Sequence, residues 1–338
     1  MIVNVISESN LFPTIWGGIH TAFLNNLQML RRNKVEFVVN SFGKADITHI
    51  HSFGPFGLYK LLTSKLIVLT THVTPETHAG TFRTTSLGLI ITRWYLKFFY
   101  NRADLIIALS PKVKNDLKKL GVNKKMVIIS NPINPEVFYK DLNLGIKGRK
   151  ELGYKENNFI VVGAGHLVVR KGVDDFIFLA KELPEYLFIW VGGKVADLFA
   201  AETQAQKDMI TNHPPNFKIT GYVPYSKMAM YYNSADALLF PSHGEIASMV
   251  IIEAAACGLP LILRDLPEYQ ELYNGSYIPC KNNSEFKNAL KKLNSDKSFY
   301  KEMVGKSKQL VNNFSPEKLG LLLFEQYKEL YKLSKTNS

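Results

Sequence analysis

The stretch PSHGEIASMVIIEAAACGLP occupies residues 241–260 and directly follows the apolar run ALLF at residues 237–240. ALLF predicts a buried strand, and the polar, glycine-bearing PSHGE predicts a loop. The apolar segment after the loop predicts a helix that begins near Ala247. Strand, loop and helix in this order are the repeating unit of a parallel α/β sheet. Such sheets bind ligands in the loops that follow their strands, so this loop is a candidate binding site.

The same alternation of short apolar runs and amphipathic segments extends over most of the chain. The candidate strands are residues 2–7, 36–40, 47–51, 66–71, 105–110, 127–130, 159–163, 186–192, 217–220, 237–240 and 260–263. Segments between them, such as 21–32 and 112–120, carry apolar residues at helical spacing. Fully apolar strands that alternate with helices predict parallel sheets covered on both faces.

The length of 338 residues exceeds the usual size of a single core and favours two domains. The polar stretch 139–158 interrupts the pattern and predicts a linker with a short helix inside it. We therefore predict two Rossmann-like domains, over residues 1–145 and 146–315, whose parallel sheets face each other across a cleft. Residues 316–338 carry a helical apolar stripe and are expected to pack back on the first domain.

The composition sets broad limits on function. Hydrophobic residues make up 46% of the chain and charged residues 21%, which is typical of a globular protein. The formal net charge of +12 favours polyanionic partners, among them nucleic acid, anionic lipid and phosphorylated ligands. The lysines are scattered, and the sequence has no helix-turn-helix, zinc-finger or RNP-like motif. A nucleic-acid partner is therefore not predicted.

The cysteines and the N-terminus indicate the compartment. Cys257 and Cys280 lie outside any CxxC or Cys/His cluster, so no metal site is predicted and a reducing environment is expected. The N-terminal MIVNVISES has no basic leader before its apolar run and is interpreted as a strand. No segment reaches the roughly 18 apolar residues of a membrane span. We expect a cytoplasmic protein that can lie on a membrane without crossing it.

Two carboxylates in the quoted stretch have the spacing of a sugar-binding pair. Glu245 lies in the predicted loop, and Glu253 follows eight residues later inside an apolar run of the predicted helix. Vicinal hydroxyls donate hydrogen bonds to such carboxylates, and a buried carboxylate is costly without a partner. A binding role is therefore favoured over a solvated helix surface. The residues at the start of this helix, where amide groups favour a diphosphate, are Ile246, Ala247, Ser248, Met249 and Val250.

A second motif, GAGHLVVRKGV at residues 163–173, places a glycine turn and basic residues after a predicted strand. Lys171 is a candidate to meet a diphosphate. A fixed cation stabilises a leaving diphosphate because negative charge accumulates on it in the transition state. An ordinary basic helix cap is the alternative interpretation of this motif.

The pattern PS-x-x-E-x7-E followed by A-x-A-x-G-L-P resembles the signature of family four of the retaining glycosyltransferases, which have the two-domain GT-B fold. The resemblance covers nearly the whole chain. It implies that Glu245 binds hydroxyls of the donor sugar and that Glu253 binds the ribose of the nucleotide. It also makes the first domain the acceptor side and the second the donor-nucleotide side.

Other positions match the same family in the same order. The segment WGGIH at residues 16–20 resembles the glycine loop near donor phosphate and acceptor, which assigns Gly17 and Gly18 to that site. His72 resembles the histidine that lines the donor-sugar pocket. His49 and His51 match an H-x-H stretch at the end of an earlier strand, for which a packing role or an acceptor-side role is expected.

The chain departs from the family pattern G-R-L-x-x-x-K-G at one position, because His166 stands where arginine is expected. Two alternatives follow. Arg170, next to Lys171, supplies the missing phosphate contact, or His166 binds the phosphate as a neutral donor. A catalytically inactive sugar-nucleotide-binding protein is the alternative that this departure leaves open.

The resemblance implies a retaining hexosyltransferase with UDP-glucose as donor. Lys171 would stabilise the leaving diphosphate, Glu245 and His72 would orient the sugar, and Glu253 would hold the ribose. The sequence has no Asp-x-Asp, the pair that holds a divalent metal in GT-A enzymes, so the implied mechanism requires no metal or other cofactor. The expected acceptor is a membrane glucolipid, and a soluble cell-wall or capsular oligosaccharide is the alternative.

The segment RTTSLGLIITRWYLKFFYNR, from Arg83 to Arg102, mixes basic and aromatic residues and has no acidic residue. This composition suits an interfacial helix on an anionic bilayer. The alternative is an ordinary helix with its aromatic residues in the core. The compact chain and this basic-aromatic segment resemble those of bacterial enzymes that glucosylate diacylglycerol or its monoglucosyl form. We therefore expect peripheral contact with the inner face of the cell membrane.

Overall fold

The computed structural model describes residues 1–9, 13–75, 85–193 and 211–336, and only the backbone of residues 13–17. The chain divides into two compact units. The first comprises Met1–Pro132 with Phe314–Ser338, and the second comprises Ile133–Asn313. Each unit is an α/β structure built on a six-stranded parallel sheet, so the predicted fold class is confirmed.

The sheet of the first unit contains β1 (Val3–Ile6), β2 (Phe37–Val39), β3 (Ile47–Ile50), β4 (Ile67–Thr70), β5 (Leu105–Ala108) and β6 (Met126–Ile128). Its order is β2-β1-β3-β4-β5-β6, and every pair is parallel. Strands β1, β3, β4 and β5 are buried along their full length, as expected for a sheet covered on both faces. The order changes direction between β1 and β3, which is the ligand-binding position of such sheets.

The described helices before residue 133 are α1 (Pro13–Arg32), α2 (Pro55–Thr63), α3 (Ser86–Asn101) and α4 (Pro111–Lys119). Local sequence sets their starts. The Thr85 side chain accepts a hydrogen bond from the Gly88 amide at the start of α3, and Ser110 does the same for Val113 in α4. Proline in the first turn adds to the starts of α2 and α4.

The sheet of the second unit contains β7 (Ile160–Ala164), β8 (Leu187–Val191), β9 (Phe217–Ile219), β10 (Ala237–Phe240), β11 (Leu261–Arg264) and β12 (Ile278–Cys280). Its order is β12-β11-β10-β7-β8-β9, again with every pair parallel. This is the Rossmann order, and its direction reverses between β7 and β10. The loops after these two strands carry the two motifs with Lys171 and Glu245. Strand β12 was missed because the run IPC is too short to show a pattern.

The described helices of the second unit are α5 (Leu142–Leu152), α6 (Val173–Glu182), α7 (Tyr225–Ser234), α8 (Met249–Ala256), α9 (Pro267–Tyr273), α10 (Asn283–Ser295) and α11 (Lys297–Val311). Helix α8 was predicted to begin near Ala247 and begins instead at Met249, because residues 241–248 remain in the loop. The core beneath the sheet includes Phe176, Phe188 and Trp190, which pack edge to face.

The stretch 139–158 is an integral part of the second unit rather than a free connector. Helix α5 begins at the Asp141 cap and packs closely on α7. A Cβ at Gly145 would lie 2.5 Å from the Asn233 carbonyl oxygen, and one at Gly148 would lie 2.1 Å from Ser234 Oγ. The glycines allow two helices to approach closely, whereas in the sequence they suggested a loop.

The last helix, α12 (Pro316–Thr336), packs on α1 in the first unit. Its stripe of Leu319, Leu323 and Tyr327 is buried in the same core as Phe23. Gly320 lies where a Cβ would come within 1.9 Å of Asn33 Nδ2, so this glycine also serves a close helix contact. Long-range hydrogen bonds from Asn33 to the Pro316 carbonyl and from Arg32 to Glu317 hold the start of the helix.

Candidate active site

The loops after β7 and β10 meet in a cluster of charged side chains around Glu245. Lys171 Nζ donates a hydrogen bond to Glu245 Oε1 at 2.6 Å, and Arg170 Nη1 donates one to the same oxygen at 3.1 Å. Ser242 Oγ donates to it as well, at 2.7 Å. The sequence placed Lys171, Arg170 and Glu245 in two separate motifs. The structure brings all three together at the switch point of the sheet.

A short 3₁₀ helix, Val169–Lys171, presents the two basic residues. It ends at Gly172, whose φ of +70° is unfavourable for other residues. A Cβ at Gly172 would lie 2.4 Å from the Pro241 carbonyl oxygen, so the turn is packed directly against the loop after β10. The Arg170 carbonyl accepts from the His243 amide, which joins the loops through the backbone, and it lies 3.0 Å from Ser242 Oγ.

The charges of the cluster are unequal, with two cations on one carboxylate. Burial alone would raise the pKa of Glu245, but Lys171 and Arg170, with hydrogen bonds from Lys171 and Ser242, outweigh it and lower that pKa. Burial lowers the pKa of Lys171, as does Arg170, while Glu245 opposes the change. An ionised Glu245 therefore leaves one positive charge uncompensated within this trio, which suits an anionic ligand.

An ion pair between Arg264 and Asp175 helps to fix the loop that carries Glu245. Arg264 Nε donates to the Pro241 carbonyl at 2.9 Å, and its Nη2 pairs with Asp175 at 2.5 Å. His243 Nε2 lies 3.4 Å from the same carboxylate. Arg264 ends β11, and its place at the carboxyl end of a strand was the signal that the sequence interpretation overlooked.

His166, the departure from the family pattern, lies half-buried in the loop after β7. Burial lowers its pKa, and the nearby charges of Lys171 and Arg170 lower it further. The imidazole is therefore neutral near pH 7, although a hydrogen bond to the Gly193 backbone opposes the shift. Its single N–H reaches a ligand only in exchange for that bond. Arg170, in contact with Glu245, supplies the second permanent cation of the site.

The start of α8, which follows Glu245 closely in the sequence, provides backbone hydrogen-bond donors. Ile246 and Ala247 belong to the loop, Ser248 is the N-cap, and Met249 and Val250 form the first turn. The Ser248 side chain makes no capping hydrogen bond, so it does not satisfy the first amides of the helix. These amides are suited to bind a phosphate.

Glu253 lies on α8 and makes a different contact from Glu245. It is 4% exposed and accepts a hydrogen bond from Tyr232 Oη at 3.1 Å. Burial raises the pKa of Glu253 to about 8, and the bond from Tyr232 only partly opposes this shift. The carboxyl is thus largely protonated at neutral pH. Tyr232 lies on α7, and no local pattern in the sequence could have joined it to Glu253.

His72 follows β4 in the first unit and belongs to a row of buried histidines. His72 Nε2 and His51 Nδ1 lie 3.1 Å apart, and the rings of His51 and His49 have centroids 4.3 Å apart. His49 is fixed by Tyr327 Oη at 2.5 Å and by Thr70 Oγ1 at 2.7 Å. Burial lowers the pKa of His72 to about 4, so its ring is neutral.

The glycines assigned to an N-terminal loop lie within a helix. Helix α1 begins at Pro13, so Gly17 and Gly18 fall in its first turns and not in a loop. The helix starts earlier than the predicted residue 21 because the glycines were interpreted as a break. A Cβ at Gly18 would meet no atom within 4 Å. This glycine is therefore not required for packing.

Within the described ranges, His, Cys, Asp and Glu side chains form no group of three or more suited to hold a metal ion. In those same parts of the chain, every helix is too short or too polar to span a bilayer.

Comparisons with known proteins define the class. Residues 146–310 match the model of the glycosyl transferases group 1, and residues 4–137 match that of glycosyltransferase family 4. The crystal structure of Anabaena HepE in complex with UDP-glucose superposes with a TM-score of 0.75 at 15% identity, covering 97% of this chain and 100% of that one. The chain is therefore a glycosyltransferase of the GT-B fold.

Two relatives of known name define the family and the enzyme class more closely. The alpha-galactosylglucosyldiacylglycerol synthase of Streptococcus pneumoniae is 31% identical over 97% of this chain and 89% of its own length. The processive diacylglycerol alpha-glucosyltransferase of Acholeplasma laidlawii is 28% identical over 94% and 95%. The chain belongs to the group 1 glycosyl transferases of family 4, and its enzyme class is that of the hexosyltransferases.

Proposed function

We propose that this protein is a retaining glucosyltransferase that transfers glucose from UDP-glucose to a hydroxyl of a membrane glucolipid. The observation that carries the proposal is the buried cluster of Lys171, Arg170 and Glu245 at the switch point of the second sheet. Its excess positive charge suits a diphosphate, and its carboxylate suits sugar hydroxyls. The two requirements of a nucleotide-sugar donor are thus combined in one place.

The donor is bound by charge and by backbone amides. Lys171 and Arg170 contact the diphosphate, assisted by the amides at the start of α8. Neutral His166 adds a hydrogen bond where the family pattern has an arginine. Glu253 accepts hydrogen bonds from the ribose hydroxyls, which compensate the burial that now holds it protonated.

The reaction exchanges one C–O bond for another at the anomeric carbon. The bond to the diphosphate oxygen breaks as the acceptor oxygen forms its bond on the same face, so the configuration is retained. The acceptor proton passes to the leaving phosphate oxygen, and no protein base is needed. Lys171 and Arg170 stabilise the negative charge that develops on the diphosphate. Glu245 orients the sugar, and the resemblance assigns His72 to the same sugar.

Both relatives support the stereochemistry, and the Acholeplasma relative supports the glucosyl donor. The Acholeplasma relative is named as an alpha-glucosyltransferase, and the Streptococcus relative as a synthase of an alpha-galactosylglucosyl lipid. Glucose is α-linked in UDP-glucose, so an α-linked product requires retention. Anabaena HepE, which shares this fold, forms a complex with UDP-glucose.

A lipid acceptor is supported by helix α3. One of its faces is buried through Leu96, Phe99 and Tyr100, as the core interpretation expected. The other face is an exposed apolar stripe at helical spacing. We call it the α3 stripe, and it consists of Leu87, Ile90, Ile91, Trp94 and Phe98.

The α3 stripe has the character of an interfacial surface. Trp94 at its centre is 71% exposed, and Lys97 and Arg102 at the end of the helix are exposed as well. The next helix, α4, adds Lys118 and Lys119 in its last turn. Apolar insertion flanked by lysine and arginine is the pattern that binds anionic lipid surfaces. We propose that this contact holds the protein at the inner face of the cell membrane.

Transfer can be tested with purified protein, UDP-glucose and anionic vesicles that contain diacylglycerol or glucosyl-diacylglycerol. Mass spectrometry should detect a lipid that has gained one hexose, and NMR of the product should show an α-linkage. A Lys171→Met variant serves as the control and should form no product. Transfer only to a water-soluble oligosaccharide would refute the lipid acceptor. UDP-glucose that remains intact with every acceptor would refute the donor.

A further inference from the structure

We infer that His51 is a positioning residue, which fixes the tautomer of His72 so that His72 presents Nδ1–H as a hydrogen-bond donor to the sugar. The functional half of this inference rests on the proposed function of His72. The tautomer itself follows from the contacts and the burial of the two rings.

The ring of His51 lies in a buried and largely apolar environment. It follows β3 at the carboxyl edge of the first sheet, and it is 1% exposed. Its ring lies against His49 on one side and meets the edge of Phe23, with centroids 5.7 Å apart. His51 Nε2 is buried and has no hydrogen-bond partner in the described part of the chain. Among the described residues, the ring makes one hydrogen bond, between His51 Nδ1 and His72 Nε2 at 3.1 Å.

Burial also determines the charge state of the His51 and His72 rings. Burial lowers the pKa of His51 well below its ordinary value, and His49 and His72 lower it further. The pKa of His72 is lowered to about 4 by burial. Both rings are therefore neutral at physiological pH. Each carries a single N–H, and one of the two must donate to the other.

The unpartnered Nε2 of His51 decides which of the two rings donates the hydrogen bond. If His51 carried its hydrogen on Nε2, a buried N–H group would have no acceptor. Orphaned buried N–H groups are rarer in proteins than acceptors left without a donor. His51 therefore carries its hydrogen on Nδ1 and donates to His72 Nε2. His72 must then carry its hydrogen on Nδ1.

His49 supports the pair formed by His51 and His72. His49 bonds through both ring nitrogens, to Tyr327 Oη and to Thr70 Oγ1. Tyr327 belongs to α12, so the last helix of the chain helps to hold the ring on which His51 packs. A fixed donor at His72 has no need to reorient when substrate binds, which is the condition under which hydrogen bonds contribute most to catalysis.

The inference can be tested by NMR on protein labelled with ¹⁵N in its histidines. Long-range ¹H–¹⁵N correlations separate a protonated ring nitrogen from a bare one, and a His72→Gln spectrum assigns the signals of His72. We expect a protonated Nδ1 and a bare Nε2 for His72 in the wild type. A protonated Nε2 would overturn the inference, whether or not the enzyme transfers glucose.

Two substitutions of His51 link the tautomer to activity. An asparagine places an amide donor near the position of Nδ1, whereas a leucine removes the donor. We expect His51→Leu to lower kcat about 10-fold or more, to leave UDP affinity unchanged, and to release His72 into a mixture of tautomers. His51→Asn should restore the Nδ1–H signal of His72 and most of kcat. Equal kcat in the leucine and asparagine variants would refute the functional role and leave the glucosyltransferase assignment standing.

Discussion

Lys171 Nζ lies 2.6 Å from Glu245 Oε1, and both side chains are nearly excluded from solvent, with 12% and 9% of their surfaces exposed. Removing one member of a buried ion pair leaves the other charge uncompensated, which costs more than removing both. The pair that is proposed to bind the donor therefore also contributes to the stability of the second unit.

The first prediction separates these two contributions with a double-mutant cycle. Glu245→Gln should abolish glucosyl transfer and lower the free energy of unfolding by about 3 kcal/mol, because Lys171 loses its partner. The double variant Lys171→Met with Glu245→Gln should recover part of the lost stability, because only Arg170 then lacks its carboxylate partner, and it should remain inactive. Denaturant unfolding and the transfer assay measure the two outcomes. Additive losses of stability in the double variant would contradict the burial of this pair.

The second prediction concerns the pH dependence of stability. The pKa of Glu253 is raised to about 8 in the folded protein from an ordinary value of 4.5. A raised pKa means that the folded state binds the proton more tightly than the unfolded state does. The stabilising contribution of Glu253 to the free energy of unfolding is therefore fully present below about pH 4.5 and is lost as pH rises through about 8. Each unit of the shift corresponds to about 1.4 kcal/mol.

The variant Glu253→Gln should remove this dependence. Its unfolding free energy should change less with pH in the same interval than that of the wild type, and the two proteins should differ most above pH 8. Urea melts at several pH values measure the difference. Parallel profiles of variant and wild type would show that Glu253 titrates normally.

The third prediction compares two glycines with similar backbone angles. Gly172 and Gly153 have φ values of +70° and +78°, and both end a helical turn. A Cβ at Gly153 meets nothing within 4 Å, whereas one at Gly172 lies 2.4 Å from the Pro241 carbonyl. Gly153→Ala should cost about 1 kcal/mol for its backbone conformation alone. Gly172→Ala should cost more and should also reduce transfer, because it pushes away the loop that holds Glu245.

Thermal unfolding and initial rates of transfer measure this pair of variants. Gly153→Ala serves as the matched control, since it should keep the full rate. If the two variants are equally active, the contact between the 3₁₀ turn and the loop after β10 does not matter for the site.

The fourth prediction tests the α3 stripe. Burying one large apolar side chain contributes about 1.5–3 kcal/mol. The change Ile91→Gln with Trp94→Gln should therefore weaken binding to anionic vesicles about 10-fold or more. Leu142, 70% exposed in the second unit, provides the control Leu142→Gln, which should bind like the wild type. Cosedimentation with phosphatidylglycerol vesicles at low and high salt measures the affinities. Equal loss in the Leu142 variant, or none in the α3 variant, would exclude α3 as the contact.

Much of the fold was predicted from the sequence because its signals are local. The apolar runs at Ile160–Ala164 and Ala237–Phe240 are strands, and the stripe of Pro316–Thr336 is a helix, as the patterns indicated. Errors arose where one residue type has two uses. Gly145 and Gly148 suggested a linker but pack two helices together, and Gly17 suggested a loop but lies in α1.

The candidate site was predicted in part, because its motifs lie on two strand–loop–helix segments. The sequence by itself determined that Lys171, Arg170, Glu245 and Glu253 sit at or near the carboxyl ends of parallel strands. It did not determine which of them meet. The parallel pairing of β7 and β10, strands whose first residues are 77 positions apart, brings Lys171 onto Glu245.

The tertiary structure alone decided the state of the second glutamate and of the histidines. Glu253 contacts a tyrosine and no cation in the described structure, so burial holds it protonated. His51 and His72 follow adjacent strands, and the loss of solvent around them sets both charge and tautomer. Local sequence fixes which residues follow a strand. Their protonation and partners depend on desolvation and on strand pairing between distant segments, which no local pattern encodes.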